Sequence, residues 1–319
     1  MSHENKSILV TGGAGFLGSH LVEKLLASKF KITFLDNFDP FYPREIKERN
    51  IDSFVNNPSV TFLEIDILEI EELEKIKTDF FAIIHLAAKA GVRPSIENPI
   101  AYQDVNVKGT QNLLEFARKR SIKQFVFASS SSVYGINKNL PWSESDFVLN
   151  PISPYASTKL SGELLGHVYS HLFGIRFIGL RFFTVFGPRQ RPDLAIHLFT
   201  KKILNNESIK VFGDGNTRRD YTYVDDIVSG IMGALLYSDS MFEIFNLGNS
   251  ETITLSELID TIENVLERKA KIERLPEQPG DVPATYANIK KAQSLLNYTP
   301  QTSLKEGLIK FKDWYLHKL

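Results

Sequence analysis

The sequence predicts an α/β protein: a doubly wound parallel sheet with a smaller, mostly C-terminal α/β domain. Three observations carry this. Short apolar runs at 7–10, 31–35, 60–63, 82–86, 124–128 and 175–180 alternate with amphipathic stretches through the first half of the chain. A glycine-rich turn separates the first run from the helical pattern behind it. After Gly187 the pattern becomes irregular, with Pro188, Pro192, a Gly213-Asp-Gly215 turn and later Pro276, Pro279 and Pro283.

The six runs read as buried strands. The stretches 16–27, 100–120 and 154–173 have the length and periodicity of crossover helices, which makes repeated βαβ units and a parallel sheet. The apolar run 243–247, followed by Gly248, is expected to return to that sheet. The division that follows is 1–186, with 224–250 returning to it, for the large domain, and 187–223 with 251–319 for the smaller one. A chain of 319 residues suits one large domain and one companion.

Composition removes several classes of function. The 37 basic and 38 acidic residues nearly cancel, so no global field recruits nucleic acid or an anionic membrane. The chain has no cysteine, hence no disulfide and no thiolate, and a metal enzyme is not expected. No apolar run approaches the roughly 20 residues of a membrane span, and residues 1–7 are polar. A cytoplasmic protein is expected.

Thr11-Gly12-Gly13-Ala14-Gly15-Phe16-Leu17-Gly18 directly follows the first strand and opens a helix. In that context Gly12 makes the tight turn, Gly15 lets backbone approach a pyrophosphate, and Gly18 lets the helix pack on the strand. The fold is then Rossmann-type. Asp36 ends the second strand, where a carboxylate accepts ribose hydroxyls and repels a 2′-phosphate, so NAD is favoured over NADP. A ligand-free turn and a solvated aspartate are the bland alternatives.

Ala128-Ser129-Ser130-Ser131-Ser132-Val133-Tyr134-Gly135 leaves the fifth strand at its carboxyl end, the edge where such sheets bind ligands. Serine runs also make turns by bonding their own backbone. In Ser153-Pro-Tyr-Ala-Ser-Thr-Lys159, a four-residue offset stacks Tyr155 and Lys159 on one helix face. An ammonium beside a phenol of intrinsic pKa about 10 favours the phenolate, which makes a usable base. The competing reading is a core aromatic and a solvated lysine.

Together the glycine loop, Asp36, the serine run and Tyr155 with Lys159 resemble extended short-chain dehydrogenases/reductases over nearly the whole chain. The segments 35–42, 85–94 and 180–188 look most like nucleotide-sugar 4-epimerases, and the subgroup they resemble is the UDP-glucuronate 4-epimerases. This resemblance implies tightly bound NAD, regenerated each turnover, and a UDP-sugar substrate. Ser130 takes the position beside the sugar 4-hydroxyl, Tyr155 that of the base, and Lys159 that of the residue holding tyrosine and nicotinamide ribose. It also implies Asn37, Asp66 and Ile67 near the adenosine, Leu86, Ala87, Ala88 and Ala90 along the cofactor with Phe16 and Leu17, and Asn106 as a buried hydrogen-bonding residue. Arg219 and Asp281 match contacts to diphosphate and to ribose or uridine.

Related lyases carry acidic residues just before the Val-Tyr-Gly segment, where this chain has Ser131 and Ser132. Hydroxyls of ordinary pKa are poor proton shuttles, so elimination and decarboxylation lose their usual catalyst. Ser131, Ser132, Thr184 and Arg191 are expected to hold a hexuronate carboxylate, Arg191 as a bidentate clasp. Thr184 stands where UDP-galactose epimerases have asparagine, Phe182 where they have tyrosine, and Gln278 where a diphosphate-binding arginine is common. UDP-glucose 4-epimerase, UDP-glucuronate decarboxylase and a noncatalytic NAD-binding sensor remain as alternatives. The resemblance further implies a homodimer in which helices 100–120 and 154–173 pair through Leu113, Leu164 and Val168.

Overall fold

A computed structural model describes residues 6–147, 150–276 and 282–318. Seven parallel strands make the central sheet: β1 (Ser7–Thr11), β2 (Lys31–Leu35), β3 (Val60–Leu63), β4 (Ala82–His85), β5 (Gln124–Ser130), β6 (Arg176–Phe182) and β7 (Phe242–Leu247). Their spatial order is β3-β2-β1-β4-β5-β6-β7. The order reverses between β1 and β4, and a crevice opens outside the carboxyl ends of strands at such a switch point.

Alternate residues of each strand serve opposite faces. Ile8 and Val10 join one apolar cluster with Ile84, Val126 and Ile178, whereas Leu9 joins the other with Ile83, Phe125 and Phe177. Both faces are covered, which is why these strands read as unbroken apolar runs. The run 243–247 does return to the sheet, pairing Glu243 with Ile178 and Leu247 with Phe182.

The helix Pro154–Phe173 begins at an N-cap, Ser153, whose hydroxyl accepts from Ala156 N at 3.1 Å, and ends at Gly174 in the left-handed region. It lies tight against the sheet. A Cβ on Gly162 would meet the Phe127 ring at 2.3 Å and one on Gly166 the Phe177 ring at 2.3 Å. Tyr155, Lys159 and Glu163 follow at successive turns of this helix. Glu163 meets Arg181 of β6 in a buried bidentate pair, with Nε to Oε1 at 2.9 Å and Nη2 to Oε2 at 2.7 Å, and Ser129 Oγ donates to Oε1 at 2.5 Å.

Two expectations need correction. The stretch 100–120 is not one regular helix but Pro99–Gln103, a π-helical turn Asp104–Lys108, and Gly109–Lys119. The wide turn carries Asn106, whose amide accepts from Lys89 N and donates to Lys89 O and the Thr158 hydroxyl. Leu113 is fully buried within the chain and so offers nothing to a partner, whereas Leu164 and Val168 are exposed.

Beyond β6 the chain builds three two-stranded sheets: Thr184–Phe186 with Tyr221–Tyr223, Ser208–Phe212 with Lys271–Leu275, and Arg218–Arg219 with Ile253–Thr254. Asp220 ties them to neighbouring loops by accepting from Asn249 N, Ser250 N and Ala287 N. Among the described residues no helix is long and apolar enough to cross a membrane.

The Glu163–Arg181 pair generates a stability test. Arg181→Met strands a buried carboxylate and is expected to cost about 3–5 kcal/mol, most of it recovered in Glu163→Leu/Arg181→Met. Urea unfolding of the two variants beside the parent measures both.

Candidate active site

A cavity of about 730 Å³ lies along the carboxyl edge of the sheet. Its floor at one end is the glycine turn, where Gly12, Gly15, Phe16, Leu17 and Gly18 all line the space. Gly12 has φ +74°, and a Cβ there would stand 2.8 Å from Ala87 N; a Cβ on Gly18 would stand 2.1 Å from Gly12 O. Helix Phe16–Ala27 starts at Gly15 with no side-chain cap, so its first-turn N–H groups have no side chain competing for them. A turn this bare at a helix N-terminus fits a pyrophosphate.

Beside it Asp36 is buried and accepts from Ala14 N at 3.1 Å, Phe38 N at 2.9 Å and Lys47 Nζ at 3.3 Å. Asn37 donates to Asp66 Oδ2 at 2.8 Å. Ile67, Leu86, Ala87, Ala88 and Ala90 continue the wall. Asn106 does not line the cavity: all its amide bonds go to Lys89 and Thr158, so it props the wall from behind.

At the other end Ser130 closes β5, and its Oγ accepts from Ser132 N at 3.1 Å and Ser132 Oγ at 2.9 Å. Tyr155, at the start of its helix, lines the same space, with the Tyr102 ring edge-on at 6.2 Å. Burial pushes its phenol up, while the Ser130 hydroxyl and the Arg191 charge pull it down. Lys159, one helical turn on, is buried. Its Nζ donates to the Ala128 carbonyl at 2.6 Å and stands 5.9 Å from the Tyr155 ring centre. Burial drags its pKa down to about 7, opposed by Glu163 one turn further on.

Ser131, Ser132, Thr184, Arg191 and Arg219 line this end too. Arg219 Nη1 donates to the Arg218 carbonyl at 2.8 Å, while Arg218 turns outward to Thr252. Asp281 and Gln278 lie outside the described residues. The structure adds residues that sequence reading missed: Phe41, Tyr42, Lys47 and Lys89 also line the cavity. Lys89 pairs with Asp39 at 2.8 Å. Phe41, Tyr42 and Lys89 fall in the segments 35–42 and 85–94 that carry the family resemblance, whereas Lys47 left no such signal. No cluster of metal-ligating side chains occurs among the described residues.

Comparison with known proteins now decides the family. The model of the NAD dependent epimerase/dehydratase family matches residues 8–248. The chain belongs to this family. It is 41% identical to UDP-glucuronate 4-epimerase 2 of Arabidopsis thaliana over 97% of this chain and 76% of that one. The crystal structure of UDP-glucuronic acid 4-epimerase from Bacillus cereus, in complex with UDP-glucuronic acid and NAD, superposes with a TM-score of 0.92 at 38% identity, covering 98% of this chain and 100% of that one. UDP-N-acetylglucosamine 4-epimerase from Methanobrevibacter ruminantium M1 gives 0.91 at 33% identity over 99% and 100%. NAD is the cofactor of the family, and the bare glycine turn and buried Asp36 fit it.

Lys159 generates a pH test on cofactor-free protein. Its folded pKa of about 7 lies below the unfolded value near 10.5, so its contribution to stability is present above pH 10.5 and is lost as pH falls toward 7. Lys159→Met is therefore expected to be more stable than the parent by roughly 4–5 kcal/mol at pH 6, the gap closing toward pH 10.5. Thermal or urea unfolding across that range measures it.

Proposed function

We propose that this epimerase acts at carbon 4 of a UDP-hexuronate, interconverting UDP-glucuronate and UDP-galacturonate. The observation that carries the reading is one cavity in which the Tyr155 phenol meets the Ser130 hydroxyl and the Arg191 charge, continuous with the glycine turn. NAD, which the glycine turn and Asp36 would hold, would supply the acceptor and donor of the carbon 4 hydride. Tyr155 removes the proton of the 4-hydroxyl and returns it after the 4-keto sugar has turned over, and Ser130 orients that oxygen. Lys159 would hold the nicotinamide ribose and, while charged, favours the phenolate.

The charge pattern supports an acidic sugar. Cavity carboxylates Asp36, Asp39 and Asp66 belong to the loops after β2 and β3, whereas the wall around Tyr155 offers Ser131, Ser132, Thr184, Arg191 and Arg219. Those hydroxyls and guanidiniums suit a carboxylate and a diphosphate, and they supply no acid for elimination. In this reading residues 1–186 with 224–250 serve NAD, and 187–223 with 251–319 serve the nucleotide sugar, Arg219 and Asp281 included.

Two copies of the chain are further proposed to pair through Leu164, Val168 and Leu172, three exposed apolar residues spaced four apart on one helix. Light scattering at micromolar concentration is expected to give twice the chain mass; a monomer contradicts the pairing.

The activity test needs no added cofactor. Purified protein given UDP-glucuronate is expected to yield UDP-galacturonate by NMR, and UDP-glucose run beside it is expected to turn over poorly. Tyr155→Phe is expected to keep its NAD and lose turnover by about 10²–10⁴-fold, the usual worth of a positioned base. A Tyr155→Phe protein with unchanged turnover sinks the assignment.

A further inference from the structure

We propose that Asp193 and Phe41 lock the Arg191 guanidinium in one plane, so that it presents a free bidentate edge to the sugar carboxylate. This rests on the hexuronate reading and deepens it: Asp193 and Phe41 become positioning residues that govern the carboxylate's orientation, and with it the fate of the 4-keto acid.

A guanidinium has two edges that can each hold a carboxylate by paired N–H groups, the Nε/Nη2 edge and the Nη1/Nη2 edge. In this structure Asp193 occupies the first. Arg191 Nε donates to Oδ1 at 3.0 Å and Nη2 to Oδ2 at 2.7 Å. The guanidinium carbon lies 4.9 Å from the centre of the Phe41 ring, which covers one face. With one edge and one face held, rotation about the end of the side chain is blocked. Arg191 and Phe41 line the cavity and Asp193 does not, so the pair is anchored from behind and the second edge is the one left for a ligand.

Orientation matters because oxidation at carbon 4 makes a β-keto acid. If the carboxylate swings so that the C5–C6 bond aligns with the carbonyl π system, that bond breaks. Its electron pair passes into an enolate, a proton is taken up at carbon 5, and carbon dioxide leaves. A clasp in a fixed plane opposes that swing. Charge alone argues the other way, since Asp193 weakens the pull of Arg191 on a second carboxylate. The two effects therefore have opposite signs in one variant.

Asp193→Asn keeps the side chain's size, removes its charge and leaves one acceptor oxygen, so the planar lock is lost. With UDP-glucuronate, KM is expected to rise about tenfold, and carbon dioxide released per epimerisation is expected to rise with it. Bound NAD content is expected to stay at the parent level, and Asp193→Glu to restore part of the parent behaviour. Phe41→Leu, which removes only the face contact, is expected to raise the same ratio. General loss of folding lowers epimerisation and carbon dioxide release together and leaves their ratio alone; an unchanged ratio in both variants, or a lower KM in Asp193→Asn, overturns the proposal. Failure of the parent protein to epimerise UDP-glucuronate overturns the hexuronate reading and this inference with it.

Discussion

The site depends on how closely the helix Pro154–Phe173 approaches β5. Without side chains at Gly162 and Gly166, the helix settles onto the Phe127 and Phe177 rings, and Lys159 reaches the Ala128 carbonyl at 2.6 Å. That single bond fixes the first turn of the helix against the end of the strand. Tyr155 is thereby set facing the serine turn that β5 leads into. One turn beyond Lys159, Glu163 carries the ladder down to Arg181, so the catalytic face of the helix is tied to the sheet at both ends.

Burial sets the chemistry that this packing permits. Removing Tyr155 from water pushes its phenol up and removing Lys159 from water pushes its amine down, both away from the ion pair that a base needs. Opposing them are Ser130, Arg191 and Glu163. The Lys159 amine stands 5.9 Å from the centre of the Tyr155 ring, and while charged it favours the phenolate. Because Lys159 sits at about 7, that help is partly present at neutral pH and fades above it.

Much of this was legible in the sequence because it rests on local pattern. Six apolar runs marked six strands, the glycine spacing marked the turn between β1 and its helix, and a four-residue offset marked Tyr155 and Lys159. What escaped depends on distant partners. Lys47 sits in the polar helix Arg44–Ile51, and nothing local says that its amine is buried against Asp36. Leu113 and the exposed Leu164 carry the same apolar label, and only the packed fold separates core from surface. The helix Leu255–Leu266 carries a capping box, Thr254 with Glu257, a local start signal that a reading of this region as irregular passes over. The π turn at Asp104–Lys108 leaves no signature in a helical repeat, so only the fold shows that the buried amide of Asn106 bonds Lys89 and Thr158.

The central claim is that a hydride leaves carbon 4 and returns to the same carbon without meeting solvent. UDP-glucuronate deuterated at carbon 4, turned over in ordinary water and read by NMR and mass spectrometry, tests it directly. The account requires the UDP-galacturonate formed to keep its deuterium at carbon 4. Product in which that deuterium has been exchanged for solvent hydrogen contradicts it.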